Sequence, residues 1–254
     1  MLHLGHQIRI IAFGLKCSWV PSESHSAGGS RSAADSGGYM SILGIKYSCQ
    51  LTLDPNTANR VLSLSEGNWT VTWWLEQPNT DHPERFDYWS QVLCRESLTG
   101  RCYWEADWSG DGAWIAVIYK GLWRKGSSYD CRLGFNDKSW SLFCSPDSYS
   151  VCHNNKQTVI PIKPSDSRRV GVYLDWAAGT LSFYRVSSDG LTLLYSFTSS
   201  FTEPLCPGFF VYPNSSVSLL HAGIAHCVLE ESFLPYQSVT CRCFSVAASQ
   251  SVTE

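Results

Sequence analysis

Charge is the property that this chain has least of. Only 16% of its 254 residues are Asp, Glu, Lys or Arg, against about 25% in an average globular protein. The formal net charge is −3, and no block of basic residues interrupts the sequence. Proteins that bind nucleic acids need Lys and Arg along the path of the phosphates. The sequence therefore predicts no nucleic-acid partner.

Long apolar runs are also missing. No stretch reaches the roughly 18 consecutive apolar residues that a membrane-spanning helix needs. Residues 8–15 are apolar apart from Arg9, and His3 and His6 precede them. A short core that a charge interrupts is a poor match to a secretory signal peptide. We therefore expect neither membrane insertion nor secretion.

The common catalytic and cofactor motifs are absent too. The sequence has no glycine-rich phosphate loop, no Gly-x-x-x-x-Gly-Lys-Ser/Thr, no His-Glu-x-x-His and no Gly-x-Ser-x-Gly. These motifs place phosphates, zinc or a nucleophile in most enzymes that use them. The sequence predicts no cofactor, no small-molecule substrate and no catalytic residue.

Two groupings of Cys and His could suggest a site, and neither fits one. The C-terminal region contains five residues of types that zinc prefers: His221, His226, Cys227, Cys241 and Cys243. Their spacing matches no compact Cys-x₂₋₄-Cys arrangement. Cys152 and His153 could form a thiolate–imidazole pair, but neighbours on a strand point to opposite faces. We predict no metal site and no nucleophilic pair.

Aromatic residues are plentiful, with eleven Trp, twelve Tyr and eleven Phe, and large rings favour strands. Residues 102–108 alternate with a period of two, which predicts a strand whose buried face carries Cys102, Trp104, Ala106 and Trp108. Residues 113–119 are apolar throughout, as in a strand covered on both sides. Further strands are predicted at 139–144, 170–176, 180–186, 191–197, 208–212 and 216–220. Many short strands separated by turns favour an all-β sandwich.

Three short segments, in a fixed order, carry a family resemblance: Leu53-Asp54-Pro55, Tyr103-Trp104-Glu105 and Leu174-Asp175-Trp176. Further matching runs are residues 134–140, 182–186 and 212–219. In this order and spacing the chain resembles a PRY–SPRY domain over roughly residues 47–221. The residues of these motifs and runs are most similar to the C-terminal modules of fish NOD-like receptors, and tripartite-motif proteins are a second relative. Ala106 and Trp176 replace the usual Val and Tyr of the family pattern, and both keep strand character.

The resemblance implies a bent β-sandwich of two antiparallel sheets. Asp54 and Pro55 suit a short helical turn within the PRY segment, with Asp54 as N-cap. We expect a disordered or truncated leader at 1–45, PRY at about 46–95, SPRY at about 96–221 and an irregular tail at 222–254. Domains of this family recognise proteins and carry no chemistry of their own. The resemblance therefore implies a non-catalytic module that binds a host or pathogen protein, as part of an innate-immune receptor-type protein.

Glu105 and Asp175 could be taken for a pair of catalytic carboxylates. Each lies inside a family motif that is structural in the relatives. Glu105 falls on the outward face of its strand, and Asp175 leads into a hairpin, where carboxylates often accept bonds from backbone amides. The structural interpretation is the stronger.

Eleven cysteines are an odd and high number. Most lie inside apolar strands, as Cys102 and Cys144 do, where a free thiol behaves as a small hydrophobe. Together with the cytoplasmic relatives, this predicts reduced cysteines and a cytoplasmic chain. Two glycosylation sequons, at Asn68 and Asn214, argue weakly for the secretory route.

Recognition by a sandwich is expected from its loops, because the strand faces are buried. By resemblance these loops gather at one edge, here about 76–88, 107–112, 120–130, 145–156, 163–168 and 203–208. Their Trp, Tyr and Arg residues are of hot-spot types, and polar neighbours would form a rim. The predicted partner-binding residues are Trp108, Asp111, Trp123, Arg124, Lys125, Asp147, Tyr149, His153, Asn155 and Arg168.

One segment departs from the family pattern. Residues 69–74 read Trp-Thr-Val-Thr-Trp-Trp, where charged residues are usual in the relatives. These tryptophans either fill an additional pocket or form an exposed apolar patch. Exposed tryptophan can also stack on sugars, so a secreted, lectin-like sandwich that binds glycans is the alternative function.

Overall fold

The structure, a computed structural model, describes residues 46–75, 81–164 and 166–220. The predicted leader (1–45) and tail (222–254) lie outside these residues, as do all five zinc-type residues of the C-terminal region. Within the described residues, two antiparallel sheets account for nearly all the regular structure. The predicted all-β sandwich is confirmed.

The first sheet has seven strands in the order β1-β2-β13-β4-β9-β10-β11. Its strands are β1 (Leu62–Leu64), β2 (Thr70–Trp73), β4 (Arg101–Ser109), β9 (Arg169–Asp175), β10 (Thr180–Ser187), β11 (Gly190–Thr198) and β13 (Ser216–Leu220). The second sheet has six strands in the order β3-β12-β5-β6-β7-β8. Its strands are β3 (Gln91–Leu93), β5 (Ala113–Tyr119), β6 (Ser139–Cys144), β7 (Tyr149–His153), β8 (Lys156–Ile160) and β12 (Leu205–Val211).

Sequence pattern located most of the long strands; β12 begins at Leu205, inside the predicted connection 203–208. The four residues predicted to face inward on β4, from Cys102 to Trp108, are at most 4% exposed. β5 is buried along almost its whole length, as an apolar run covered on both sides should be. β7 lies within the predicted connection 145–156, which is therefore wrong there, and the sequence predicts no strand at β8. The core lies between the sheets, and its largest side chains include Trp104, Trp108 and Phe183.

The predicted helical turn in the PRY segment is present as a hydrogen-bonded turn and not as a helix. The Asp54 carboxylate accepts a hydrogen bond from the Asn56 N–H at 3.0 Å. The Thr57 N–H donates to the Asp54 carbonyl at 3.0 Å. Asp54 thus fills the capping role that its motif suggested.

The structure corrects the prediction that the cysteines are reduced, for one pair. Cys49 and Cys102 form a disulfide with their Cα atoms 5.7 Å apart. β13 ends opposite Glu105, and the chain around Ser48 takes the next place beside Tyr103 of β4. This brings Cys49 next to Cys102, although the two are 53 positions apart in sequence. The other described cysteines are free and buried: Cys94, Cys131, Cys144, Cys152 and Cys206.

We expect the free energy of unfolding to fall as the pH rises above about 9. Burial raises the pKa of Cys152 to about 11, and that of Cys206 to about 12, from ordinary values of 9.0. The unfolded chain therefore loses these protons at lower pH than the folded chain, so ionisation favours unfolding. Urea unfolding at a series of pH values between about 8 and 11 measures the slope. A Cys152→Ser variant should show a shallower fall, and a stability that is constant over this range would contradict the prediction.

Among the described residues, no helix is long and apolar enough to cross a bilayer.

Candidate functional site

The long connection between β5 and β6, residues 120–138, folds back over the outer face of the second sheet. On β5 the side chains of Ala116 and Ile118 point away from the main core. Leu122 and Leu133 of the connection cover them, and each is at most 2% exposed. The sheet is therefore buried on both faces at this point.

A second segment, residues 81–90, is fastened to this connection by polar contacts. Arg124 forms an ion pair with Glu84 at 3.2 Å, and the Lys125 ammonium donates to the His82 carbonyl at 3.0 Å. The Gly126 N–H donates to the Asp87 carboxylate at 2.7 Å. We call the exposed parts of residues 81–90 and 120–138 the connection surface. It joins a PRY segment to a SPRY segment through charge-assisted contacts, which are among the stronger hydrogen bonds in proteins.

Three large aromatic side chains project from the connection surface. Trp123 is 67% exposed, Tyr88 60% and Tyr129 49%. Trp123 follows buried Leu122 and precedes Arg124, whose side chain is only 10% exposed. With its neighbours held in place, the indole is presented from an ordered stretch of chain. Rigid, exposed aromatic residues are the type that dominates protein–protein binding energy.

Beside these residues lies a closed circuit of seven aromatic side chains, which we call the aromatic circle. Its members, in order of contact, are Trp89, Tyr129, Phe135, Trp114, Phe143, Tyr212 and Phe210. Neighbouring ring centroids are 5.0 to 6.4 Å apart, within the range of favourable aromatic pairs. The guanidinium of Arg132 lies against one side of the circle, 3.9 Å from the Phe135 centroid and 4.7 Å from that of Trp89.

Five of the ten predicted partner-binding residues lie at the end of the sandwich where β5 ends and β6 begins: Trp123, Arg124, Lys125, His153 and Asn155. The turn between β7 and β8 contacts the connection, because the Asn154 N–H donates to the Asn136 carbonyl at 3.0 Å. The His153 ring stacks on Trp140, with centroids 4.7 Å apart and planes at 7°. Asn155 is exposed in that turn. Of this group, Trp123 has the most exposed large side chain.

The other five lie at or near the opposite end, where β4 turns into β5: Trp108, Asp111, Asp147, Tyr149 and Arg168. The Asp111 N–H donates to the Ser215 hydroxyl at 2.9 Å, and Arg168 donates to the Gly110 carbonyl at 3.2 Å. Gly110 has a positive φ of 80°, and a Cβ there would overlap the backbone of Asn214. Asp111, Asp147 and Arg168 are exposed. The predicted residues are therefore divided between two ends and do not form a single edge.

The structure also corrects the prediction for Trp108 and Tyr149. Trp108 is 3% exposed and Tyr149 is 0% exposed, and both belong to the core between the sheets. Both positions are within strands, since β4 runs to Ser109 and β7 begins at Tyr149. Arg168 covers the Trp108 ring from outside at 4.5 Å. Neither aromatic side chain reaches the surface where a partner would bind.

Sequence reasoning did not identify Tyr88, Tyr129 and Arg132. Tyr88 and Trp89 are adjacent aromatic residues, and neighbours in an extended segment point to opposite sides. That rule could have placed one of them outside. Arg132 lay beyond the predicted loop 120–130, and its environment depends on residues from β5, β6 and β12. Its surroundings are visible only in three dimensions.

The candidate catalytic groups have structural roles. Glu105 accepts a hydrogen bond from the Tyr103 hydroxyl at 2.7 Å, and Asp175 pairs with Arg101 at 2.8 Å. Because Asp175 lies opposite Arg101 across β4 and β9, Glu105 is four residues away along the sheet, about 13 Å. Cys152 is buried, and its raised pKa keeps the thiol protonated. Among the described residues there is no group of three or more His, Cys, Asp or Glu side chains that could hold a metal.

The tryptophan-rich segment is partly packed and partly exposed. Trp73 packs against the core, whereas Trp69 is 48% and Trp74 57% exposed, at the two ends of β2. Trp74 borders a cleft of about 420 Å³ that residues 72–75, Ser109 and residues 214–216 line. Most of these side chains carry hydroxyl, amide or indole groups. The segment therefore both fills the interior and presents an aromatic surface.

Sequence comparisons identify two adjoining domains and several relatives. The family models for the SPRY-associated domain (PRY) and the SPRY domain match residues 51–98 and 101–223. Stonustoxin subunit beta of Synanceia horrida is 45% identical over 167 residues, which are 65% of this chain and 24% of that protein. Tripartite motif-containing protein 16 of Mus musculus is 38% identical over 172 residues, 66% of this chain and 30% of that protein. The chain thus spans about a quarter to a third of these relatives.

Two solved structures share the fold. The stonustoxin structure superimposes with a TM-score of 0.64 at 44% identity, covering 68% of this chain and 27% of that one. The crystal structure of the TRIM65 PSpry domain also gives a TM-score of 0.64, at 30% identity, covering 70% of this chain and 93% of that domain. SPRY domains commonly act as protein–protein interaction modules and are generally non-catalytic. By its two matching domains, its sheets and its similarity over almost the whole TRIM65 domain, the chain belongs to the PRY–SPRY family.

Proposed function

We propose that this chain binds a protein partner through the connection surface, as the recognition end of a fish innate-immune receptor-type protein. The observation that carries the binding site is the exposure of Trp123, Tyr88 and Tyr129 on two segments that are fastened to each other. The receptor-type role is supported by the three family motifs and the runs 134–140, 182–186 and 212–219, which together resemble the modules of fish NOD-like receptors. The partner is a host or pathogen protein.

A cytoplasmic location is part of the proposal. Five free, buried thiols support a reducing compartment, whereas the Cys49–Cys102 disulfide is of a kind that forms in oxidising ones. Intact-mass analysis of the chain from fish cells, with thiols blocked at lysis, measures the state of that pair in place. Blocking of both cysteines supports the cytoplasm, and an unblocked pair supports the secretory route.

We expect the triple variant Tyr88→Ala/Trp123→Ala/Tyr129→Ala to lose its partner while it stays folded. Each ring contributes little to the core, and hot-spot truncation commonly costs about 2 kcal/mol or more of binding free energy. Crosslinking pull-downs from infected and uninfected fish-cell lysates, with residues 46–221 as bait, should show more than about a tenfold loss of captured protein. Circular dichroism checks the fold.

The matched control is Asp111→Ala/Asp147→Ala/Arg168→Ala, which changes exposed residues at the opposite end. This control should capture the same proteins as the native chain. If it loses them while the triple aromatic variant retains them, the binding surface lies at the β4–β5 end and the proposal is wrong about the site.

The alternative function, glycan binding, has one observation in its favour. The exposed Trp74 indole borders a cleft that the hydroxyls of Ser109 and Ser216 help to line. A flat indole beside hydroxyl groups suits the apolar face and the hydroxyls of a sugar. Binding of the native chain to a glycan array, lost in Trp74→Ala, would favour this function over the first.

A further inference from the structure

Arg132 is the half-buried arginine whose side chain has no polar partner among the described residues. Seven of the other described arginines form an ion pair or donate a side-chain hydrogen bond: Arg60, Arg85, Arg101, Arg124, Arg168, Arg169 and Arg185. Arg95 forms no such contact with the described residues either, but it is exposed to water. The guanidinium of Arg132 instead lies beside four rings: Phe135, Trp89, Tyr129 and Phe210.

Aromatic rings cover the flat faces of the Arg132 guanidinium, whereas its edges, which carry the N–H groups, are open. The ring centroids of Phe135 and Trp89 are 3.9 Å and 4.7 Å from the guanidinium carbon. The rings therefore take the place of water over the flat faces of the guanidinium. The Arg132 side chain has no hydrogen bond to the described residues, and none of its nitrogens is fully buried. Its N–H groups therefore remain accessible to solvent. A guanidinium held on aromatic rings is oriented in advance, so little side-chain entropy remains to be lost on binding.

From this geometry we propose that Arg132 binds the carboxylate of an acidic side chain of the protein partner. The inference rests on the proposed function and names the chemistry that the same surface recognises. The planar fork of arginine donates two parallel hydrogen bonds to a carboxylate. Such a pair is stronger here than on an open surface, because the aromatic circle lowers the local dielectric.

Nearby charge favours a carboxylate over a phosphate. Asp130 and Asp87 lie close enough that their charges add to burial in raising the pKa of Cys131. Together with the net charge of −3, they repel a doubly charged phosphate more strongly than a singly charged carboxylate. A single guanidinium matches a single negative charge. The residues that flank the acid in the partner should be apolar, since Trp89 and Tyr129 lie against the Arg132 guanidinium and Tyr88 packs on Trp89.

The test uses three synthetic peptide pools with the pattern X-X-Φ-Z-Φ-X-X, where Φ is Leu, Val or Phe and X is Ser or Gly. Z is Glu in the first pool, Gln in the second and phosphoserine in the third. Binding to residues 1–254 is measured by fluorescence anisotropy. We expect the Glu pool to bind about tenfold more tightly than the Gln pool, since hydrogen bonds to charged groups are the stronger ones.

Two variants assign that preference to Arg132. Arg132→Gln should reduce the Glu-to-Gln ratio to about one, and Arg132→Lys should give an intermediate ratio, because it keeps the charge and loses the planar fork. Arg95→Gln removes an exposed arginine and should leave the ratio unchanged. Thermal unfolding confirms that each variant is folded.

Equal binding of the Glu and Gln pools, binding of neither, or an unchanged ratio in Arg132→Gln would overturn the inference. Tighter binding of the phosphoserine pool would overturn the choice of carboxylate. Protein capture that depends on Tyr88, Trp123 and Tyr129 is measured separately, so failure of the Arg132 inference is distinguishable from failure of the proposed function.

Discussion

Replacing Trp108 by alanine is expected to lower the free energy of unfolding by about 3–5 kcal/mol. The indole is 3% exposed and belongs to the core between the two sheets. Alanine would leave a large cavity that β4 cannot fill, because the strand is held between β13 and β9. A domain is typically stable by only about 5–15 kcal/mol, so this loss is a large part of the total. Urea denaturation, followed by circular dichroism, measures it.

Trp123→Ala is the matched comparison, since it removes the same side chain from a position that is 67% exposed. It should change the stability by no more than about 0.5 kcal/mol. The comparison distinguishes the core tryptophan, Trp108, from the surface one, Trp123, although the sequence analysis predicts both as partner-binding residues. A Trp108→Ala variant of unchanged stability would show that this side chain is not part of the core.

Removing the Cys49–Cys102 disulfide is expected to lower the free energy of unfolding by about 4 kcal/mol. The bond closes a loop of 53 residues, and without it the unfolded chain gains the corresponding conformational freedom. It also fastens the start of the PRY segment to β4, beside Tyr103. Denaturation with and without dithiothreitol measures the effect, and intact mass shows whether the bond is present.

The double variant Cys49→Ala/Cys102→Ala should lose the same stability without any reductant and should not respond to dithiothreitol. The five other described cysteines are buried free thiols, so among the described residues dithiothreitol has only the Cys49–Cys102 bond to reduce. If the native chain has the same denaturation midpoint under both conditions, the bond contributes nothing and the prediction is wrong.

Local pattern was sufficient for most of the fold, because each long strand carries its own signal. The alternation from Cys102 to Trp108 and the apolar run from Ala113 to Tyr119 are both properties of a single segment. β8, by contrast, reads as polar, with four of its five residues exposed at the sheet edge. No period distinguishes such a strand from a loop, so β8 carries no local signal of its own. β7 is buried apart from His153 but is only five residues long, and the sequence analysis places it within the connection 145–156.

The site was harder to predict because it depends on which segments meet. The disulfide requires Cys49 to lie beside Cys102, and this is decided by where β13 ends opposite Glu105. Likewise, the position of Arg132 depends on rings from β5, β6 and β12. Trp108 is instructive, since its alternation correctly predicted burial while its residue type suggested binding. Where the two conflict, burial is the better guide.

The most direct test of a binding site on the connection surface is site-specific photo-crosslinking. A photoreactive phenylalanine analogue would replace Trp123, Tyr129 or, at the opposite end, Asp147, each of which is exposed. Each chain would be irradiated in lysate of infected fish cells, and the adducts identified by mass spectrometry. We predict that positions 123 and 129 give the same adduct and that position 147 does not. An adduct at position 147 alone, or none at 123 and 129, would contradict a binding site on this surface.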